Sequence, residues 1–512
     1  MNGTHDRWWE TRGFALVLCL WAIVPLVWPT IPPLVDLPGH MGRYAVQLNL
    51  ATSPALQAFY GFEWQVIGNL GVDHLIVPMA QLFGVELGTK LIVMAIPALT
   101  VGGLLWIARE VHGEVPPTAL FALPLAYGHP FLFGFVNFAL AMALALCAFA
   151  LWLRMGRLGA LRLRAIVFVP ISIAIWLAHA FGWGTLGVLA FSGELIRQHD
   201  MIRQQGARRS WPKAIAYAGA HCLALALPAV MMVAWRSGAV SGGTEDWFNW
   251  AAKAQWLAMT LRDRWQWFDT TSLMLIFAVL IFAAASRRLS FSRNLAASAL
   301  LLAAVFVLLP RIVFGSAYAD MRLTPYVLAI GIVAIRMRSS SAGFAQAIAV
   351  AGVLFFSART LATTASFAIA AQGYERALPA LDHVPRGARL VSFVGRQCRQ
   401  QWSTNRMEHL PALAIVRRHA FSNDQWDMAG AQLLTVERPE FKPFDSDPSQ
   451  IVTRGLCRRE VWRSLDWSLA NLPRRSFDYV WLIDPVPFDP RLLAGMTPVW
   501  SNGRDALYRI ER

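Results

Sequence analysis

Apolar runs of 10 to 29 residues, many of them near 20, recur from residue 14 to residue 371, and runs of that length and frequency match the hydrocarbon core of a bilayer. In lipid every backbone N–H and C=O must be satisfied within the segment, so such runs fold as helices. They cover 14–31, 88–108, 118–127, 130–153, 165–177, 180–196, 214–235, 271–285, 295–314, 323–335 and 343–371. The spacing predicts a polytopic α-helical membrane protein with about eleven transmembrane helices. Composition agrees, because 56% of the residues are hydrophobic, more than an ordinary soluble domain carries. Arg7 and Arg12 precede the first run and no small-residue cleavage site follows it, so that run is expected to remain as a signal anchor.

A formal charge of +15 would direct a soluble chain toward nucleic acid. Here the basic residues gather instead in short connections between apolar runs. Arg154, Arg157, Arg162 and Arg164 share one connection; Arg197, Arg203, Arg208, Arg209 and Lys213 a second; Arg287, Arg288 and Arg293 a third; Arg336 and Arg338 a fourth. Counting crossings puts all four on one side, which the positive-inside rule makes cytoplasmic. The expected partners are membrane lipids and not nucleic acid. The N-terminus is then cytoplasmic and the tail extracytoplasmic, which in a bacterial inner membrane is the periplasm.

The outer side receives a long first loop at 32–87, tight connections near His129 and His179, a Trp-rich loop at 236–269, and 315–322. Trp247, Trp250, Trp256, Trp265 and Trp267 lie among charged residues in the Trp-rich loop, a pattern that fits anchoring in the headgroup layer. After the last run the composition shifts to Pro, Arg and Asp. We read 1–371 as a transmembrane domain and 372–512 as a soluble C-terminal α/β domain. Within the latter, 389–394 and 479–483 read as buried strands, 409–417 and 459–472 as amphipathic helices, and 497–510 as a hairpin turning at Asn502-Gly503. It contains no phosphate-binding Gly loop, metal-ligand cysteine pair or nucleophile elbow.

Chemistry is expected at the outer ends of the spans. Directly after the first run stands Asp36-Leu37-Pro38-Gly39-His40, with Pro38 placed for the first turn of a helix. That helix would carry His40, Arg43, Tyr44 and Gln47 along one face at i, i+3, i+4 and i+7 spacing. The plain alternative, at even weight on these residues alone, is that Asp36 caps a surface helix. Asn69 and Asp73 close the first loop, His129 and Asn137 flank the fourth run, and His179 stands between Leu177 and Phe181. Arg311, Asp320 and Arg322 recur at the same depth near the ninth and tenth runs. An ionisable group at the edge of hydrocarbon costs a few kcal/mol unless it meets a cavity or a partner. For Arg311 that partner is a ligand, the interface or Asp320. No His-x-x-x-His or similar spacing points to a metal, so the metal stays unassigned, although a divalent ion is compatible with the chemistry.

This arrangement resembles the GT-C superfamily of membrane glycosyltransferases, which combine many spans, an acidic residue in the first outer loop and often a soluble outer C-terminal domain. The local matches are Asp36-Leu37-Pro38-Gly39-His40, Asn69 with Asp73, Gly134-Phe135-Val136-Asn137-Phe138, and Asp320-Met321-Arg322-Leu323. The resemblance implies an inverting transfer from a polyprenyl-phosphate-linked sugar to a glycan or lipid acceptor on the outer face. It gives Asp36 the role of general base on the acceptor hydroxyl, with Asp73 or Asp320 as the fallback. His40 would orient Asp36 or bind a sugar hydroxyl, and Arg322 with Arg311 or Arg43 would clamp the donor phosphate. Tyr44, Asn69, His129, Asn137 and His179 fall to substrate binding. The Trp-Trp-Asp-Tyr-Gly signature of oligosaccharyltransferases is absent, which argues against protein N-glycosylation. The competing reading, a transporter or flippase for a lipid-linked saccharide, would use the same groups as a binding track, but such proteins place theirs near the midplane.

Of five cysteines, Cys19, Cys147 and Cys222 fall within apolar runs, whereas Cys398 and Cys457 lie in the outer tail, where disulfides persist. These two are expected to pair. The denatured protein should then yield three thiols before reduction and five after; five before reduction, with unchanged gel mobility on adding reductant, would refute the pairing.

Overall fold

A computed structural model describes residues 7–206, 210–236, 243–313, 317–338, 341–398, 401–427, 432–457 and 461–511. Arg208 and Arg209 of the second basic connection, 237–242 and 315–316 of the outer loops, and 459–460 of an expected tail helix lie outside the described residues. The chain divides into two compact units. One comprises Met1–Trp28, Val66–His74 and Ile92–Ala365, the other Pro29–Gln65, Leu75–Leu91 and Ser366–Arg512.

The protein is mostly helical. Among the described residues five helices are long and apolar enough to cross a membrane: Gly71–His112, Val136–Arg157, Leu161–Ala178, Gln266–Ala285 and Ala342–His383. A sixth crossing is available if Ser210–Leu225 and Leu227–Val233, bent by 66°, form one span; Pro228 stands at the bend and has no N–H to continue the ladder. Arg12–Trp21, Arg293–Leu308 and Met321–Val333 are shorter apolar helices.

Several apolar runs thus behave differently from a simple span, each for a local reason. The run at 118–127 becomes a 3-10 helix, Pro117–Tyr127, with Pro124 inside it. At about 2 Å per residue it reaches roughly 22 Å, short of the hydrocarbon thickness. The first run stops at Trp21 and resumes as Val24–Val27 around Pro25. The run at 88–108 is the later part of the 42-residue helix Gly71–His112, which breaks at Gly84 with φ 75°, a left-handed conformation that glycine adopts without steric cost.

Within the first unit, small residues and buried polar pairs fasten the helices. Gly182 of Ala180–Gln204 packs on Ala141 so closely that an added Cβ would lie 2.6 Å from the Ala141 methyl. Ser192 Oγ meets Ser298 Oγ at 2.6 Å. Buried Glu194 accepts from Arg164 at 2.6 Å and from Arg197 at 2.8 Å, and the Arg164 guanidinium lies 4.0 Å from the centre of the Trp152 ring.

The second unit is built on a six-stranded sheet. Its order is Arg463–Ser464, Ile451–Thr453, Leu390–Gly395, Tyr479–Ile483, Ala506–Ile510, Met496–Ser501. The first four strands run parallel, Ala506–Ile510 pairs antiparallel with Tyr479–Ile483, and Met496–Ser501 pairs antiparallel with Ala506–Ile510. Leu390–Gly395 sits centrally, and its continuous apolar burial is that of a strand covered on both faces. The terminal hairpin turns at Gly503 (φ 85°), where the Asn502 side-chain oxygen accepts from the N–H groups of Arg504 and Asp505. The expected helix at 409–417 is a turn, Leu410–Ala412, followed by Leu413–Arg418. That at 459–472 contracts to Leu465–Ala470, opened by the Ser464 hydroxyl accepting from the Trp467 N–H.

Segments from the first outer loop join this core. Tyr60–Phe62 pairs antiparallel with Leu434–Val436. Ala45, Val46, Leu56, Phe59 and Tyr60 pack in one buried cluster with Val391, Phe393, Phe421, Phe441, Val480 and Leu482. Cys398 and Cys457 are bonded, with Cα atoms 5.2 Å apart.

Candidate active site

The helix Leu37–Asn49 begins as the sequence predicts, with Pro38 in its first turn. Asp36 occupies the preceding position with φ −85° and ψ −9°, yet its carboxylate makes no capping bond to the helix. The helix is also not a surface element: Met41, Arg43, Tyr44, Ala45 and Val46 are buried. The reading of Asp36 as a surface cap therefore does not hold. Asp36 is itself buried at 8% exposure, and its Oδ1 lies 3.9 Å from Nε2 of His409.

His409 is the centre of a charged cluster within this unit. Nδ1 faces the Asp424 carbonyl oxygen at 3.1 Å and Asp424 Oδ2 at 3.8 Å, while Nε2 is 3.8 Å from Asp447 Oδ1 as well as 3.9 Å from Asp36. Acceptors thus stand at both ring nitrogens, an arrangement that suits two N–H donors and so the imidazolium. Burial works to lower the affinity of His409 for its second proton, but the Asp424, Asp447 and Asp36 carboxylates outweigh it and push the pKa up to about 10. His409 is therefore a buried cation at neutral pH.

Each carboxylate around it has a distinct setting. Asp424 is fully buried and held on both oxygens, by the Ser422 hydroxyl at 2.8 Å and the Ala412 N–H at 3.0 Å. Asp447 accepts from the Gln450 amide at 2.7 Å. Burial, reinforced by Asp424, raises its pKa, with His409 and Gln450 opposing. Trp426 covers the cluster, its ring centre 4.5 Å from that of His409 and 5.0 Å from that of His40. Glycine at 39 is what permits this, since a Cβ there would fall 2.7 Å from Trp426 and 3.2 Å from His409 Nδ1.

Of the predicted helix face, His40 sits beside Tyr44 with near-parallel rings 6.3 Å apart, and the Arg43 guanidinium lies 5.2 Å from the Tyr44 ring centre. Burial, then the charges of Arg43 and His409, hold His40 well below the ordinary imidazole range, so it is neutral at pH 7. Among the described residues its buried Nδ1 has no hydrogen-bond partner.

The other predicted residues belong to the first unit and form separate groups there. Asn69, Asp73 and Asn137 come together: the Asn137 amide donates to Asp73 Oδ2 at 2.9 Å and to the Asn69 carbonyl at 2.8 Å, and accepts from the Val72 N–H at 2.6 Å. With Asp73 fully buried, this knot fastens the start of Gly71–His112. A second group pairs Arg322 with His179, Nη1 to Nε2 at 3.2 Å. The guanidinium lies 4.5, 5.8 and 5.5 Å from the ring centres of Phe135, Phe138 and Phe181. Arg322, 8% exposed, is thus held between phenyl faces and an imidazole that favour its positive charge.

Asp320 receives 3.2 Å from the Lys253 ammonium and accepts from the Met321 N–H at 2.9 Å. Lys253 also donates to the carbonyls of Phe306 and Leu309. Arg311 pairs with Asp246 at 3.3 Å instead of with Asp320, near the Tyr318 ring. His129 is buried, edge-on to Phe133, and its N–H donates to the Thr260 carbonyl. In the Trp-rich segment Trp247, Trp250 and Trp267 are exposed, whereas Trp256 turns inward onto Tyr318. No group of three or more His, Cys, Asp or Glu among the described residues is placed to hold a metal ion.

The chain is similar to two solved structures of one protein. One is the crystal structure of ArnT from Cupriavidus metallidurans bound to undecaprenyl phosphate, at a TM-score of 0.48 and 13% identity over 96% of each chain. The other is the same protein in its apo state, at 0.46 and 12% over 96% of each chain. No family model matches the sequence, and no curated protein matches it at a significant level.

Sequence reasoning reached Asp36 and its helix but missed His409, Asp424, Asp447, Trp426 and Lys253. The available signal was the polar run Ser422-Asn423-Asp424-Gln425-Trp426, whose first four residues are almost fully buried. The Lys253–Asp320 and Arg311–Asp246 pairs should respond differently to mutation. Asp320→Ala strands a buried ammonium and is expected to cost about 3–5 kcal/mol, whereas Arg311→Ala, at a part-exposed pair, should cost about 1 kcal/mol or less. Thermal unfolding in detergent checks this; equal losses would contradict the distinction.

Proposed function

We propose that this protein is a membrane glycosyltransferase of the GT-C kind. It moves a sugar from a polyprenyl-phosphate-linked donor to a hydroxyl of a glycan or lipid acceptor on the extracytoplasmic face, with Asp36 as general base. The observation that carries this reading is the state of Asp36, a buried carboxylate at the mouth of a helix it does not cap. The resemblance of its sequence surroundings to GT-C first-loop acids supports it.

The acceptor oxygen attacks the anomeric carbon as the C–O bond to phosphate breaks. Polyprenyl phosphate departs with the bonding electron pair, and Asp36 takes the hydroxyl proton. Inversion at the anomeric carbon follows from the single displacement. A phosphate leaving group is stabilised by positive charge and needs no proton, a role that suits Arg322 in its aromatic and imidazole surroundings. His40, neutral and with Nδ1 available, suits a hydrogen bond from a sugar hydroxyl. Asp73 and Asp320, each tied by its neighbours, are assigned to structure.

Cells lacking the protein should accumulate a polyprenyl-phosphate sugar and lose one glycosylated lipid or glycan, both read by mass spectrometry. The wild-type gene should reverse this and Asp36→Asn should not, since removing a general base lowers the rate about 10²- to 10⁴-fold. With the accumulated lipid as donor in vitro, Arg322→Ala should raise the donor KM about tenfold or more through loss of a charge-assisted contact. Full complementation by a stably inserted Asp36→Asn, or unchanged donor dependence in Arg322→Ala, would remove the respective residue from the mechanism.

A further inference from the structure

We infer that His409 is a positioning residue for Asp36, a fixed buried cation that orients the carboxylate and sets its protonation. The inference rests on the reading of Asp36 as the base and deepens it, naming the group through which the second unit controls that base.

The geometry gives His409 no freedom to do otherwise. Nδ1 is directed at the Asp424 carbonyl oxygen at 3.1 Å, and Asp424 is itself locked by Ser422 and Ala412. Trp426 lies against the ring. This leaves Nε2 pointing between two carboxylates, Asp36 at 3.9 Å and Asp447 at 3.8 Å. At these separations the interaction is one of charge, which acts on ionisation over several ångströms where a hydrogen bond could not. His409 at 5% side-chain exposure and Asp36 at 11% are poorly screened by solvent.

The charged and titratable neighbours of Asp36 within this unit divide by sign. His40 and Arg43 stand on its own helix, with His40 neutral. Arg406 donates to the Pro33 carbonyl at 2.7 Å, three residues before Asp36. Asp424 brings negative charge on the Nδ1 side of His409, and Asp447 on the Nε2 side that Asp36 shares. Without His409, the charge around Asp36 shifts toward the Asp424 and Asp447 carboxylates, and like charges nearby favour the protonated acid, which cannot act as a base. His409 thus keeps Asp36 ionised, and Asp447 pulls against it.

Infrared difference titration of the full-length protein in detergent tests this without a substrate, using the carboxyl C=O band that disappears in Asp36→Asn. In His409→Gln the midpoint of that band should move to higher pH by about one unit or more. In Asp447→Asn, nearly isosteric, it should move to lower pH. Opposite displacements are a signature that a general loosening of the fold does not produce. A midpoint that stays put in both variants, or moves the same way in both, overturns the inference. Should His409→Gln fail to fold, an unmoved midpoint in Asp447→Asn alone overturns it. Failure of the base reading is separate, and would show as full sugar transfer by Asp36→Asn whatever the titration gives.

Discussion

A buried imidazolium surrounded by carboxylates is the interaction on which the second unit depends. His409 brings Asp36, Asp424 and Asp447 within 4 Å of one ring. Those acids come from three separate stretches of chain, one in the first outer loop and two in the tail. Buried charges are tolerated only when paired, and removing one member leaves the others uncompensated. The cluster therefore does two things at once. It fixes where the loop carboxylate stands relative to the tail, and it keeps His409 protonated at neutral pH, its pKa pushed up to about 10.

The apolar packing around the cluster enforces the same arrangement by different means. Gly42 of the helix Leu37–Asn49 lies against Ala412 and Gln425, with a built Cβ 3.0 Å from the Ala412 methyl and 2.9 Å from the Gln425 amide nitrogen. That amide donates to the Gly39 carbonyl at 3.2 Å, and the Gln425 carbonyl accepts from the Asp447 N–H at 2.9 Å. One glutamine thus joins the helix that follows Asp36 to the segment bearing Asp447. Two glycines one helical turn apart let the tail approach the helix backbone directly, which larger residues would hold away.

Much of the fold was legible in the sequence because it depends on local pattern. Helical hydrophobic runs, the buried strands at Leu390–Gly395 and Tyr479–Ile483, and the Asn502-Gly503 turn each carry their signal within a few residues. Interruptions inside apolar runs were harder to read. Hydropathy does not distinguish an α-helix from the 3-10 helix Pro117–Tyr127 or register the left-handed break at Gly84. The site divided along the same line. Asp36 stood out because a carboxylate directly after an apolar run is costly, but nothing local marks His409 as its neighbour. Their contact is a product of tertiary packing across most of the chain, and a single histidine before a short turn has no periodicity to betray it.

The contrast among the acidic residues shows how environment assigns roles to identical side chains. Asp73 and Asp320 are as fully buried as any residue in the protein. The first accepts from an asparagine that also fastens a helix start, and the second from a lysine that also satisfies two carbonyls. In both, the carboxylate is committed to contacts that hold helices in place. Asp424 is bound on both oxygens by a hydroxyl and a backbone N–H. Asp36 stands 3.9 Å from His409 Nε2 and does not cap the helix it precedes. A general base needs a carboxylate held at a fixed position and not committed to a helix start, and the proposed role of Asp36 draws on that difference from Asp73 and Asp320.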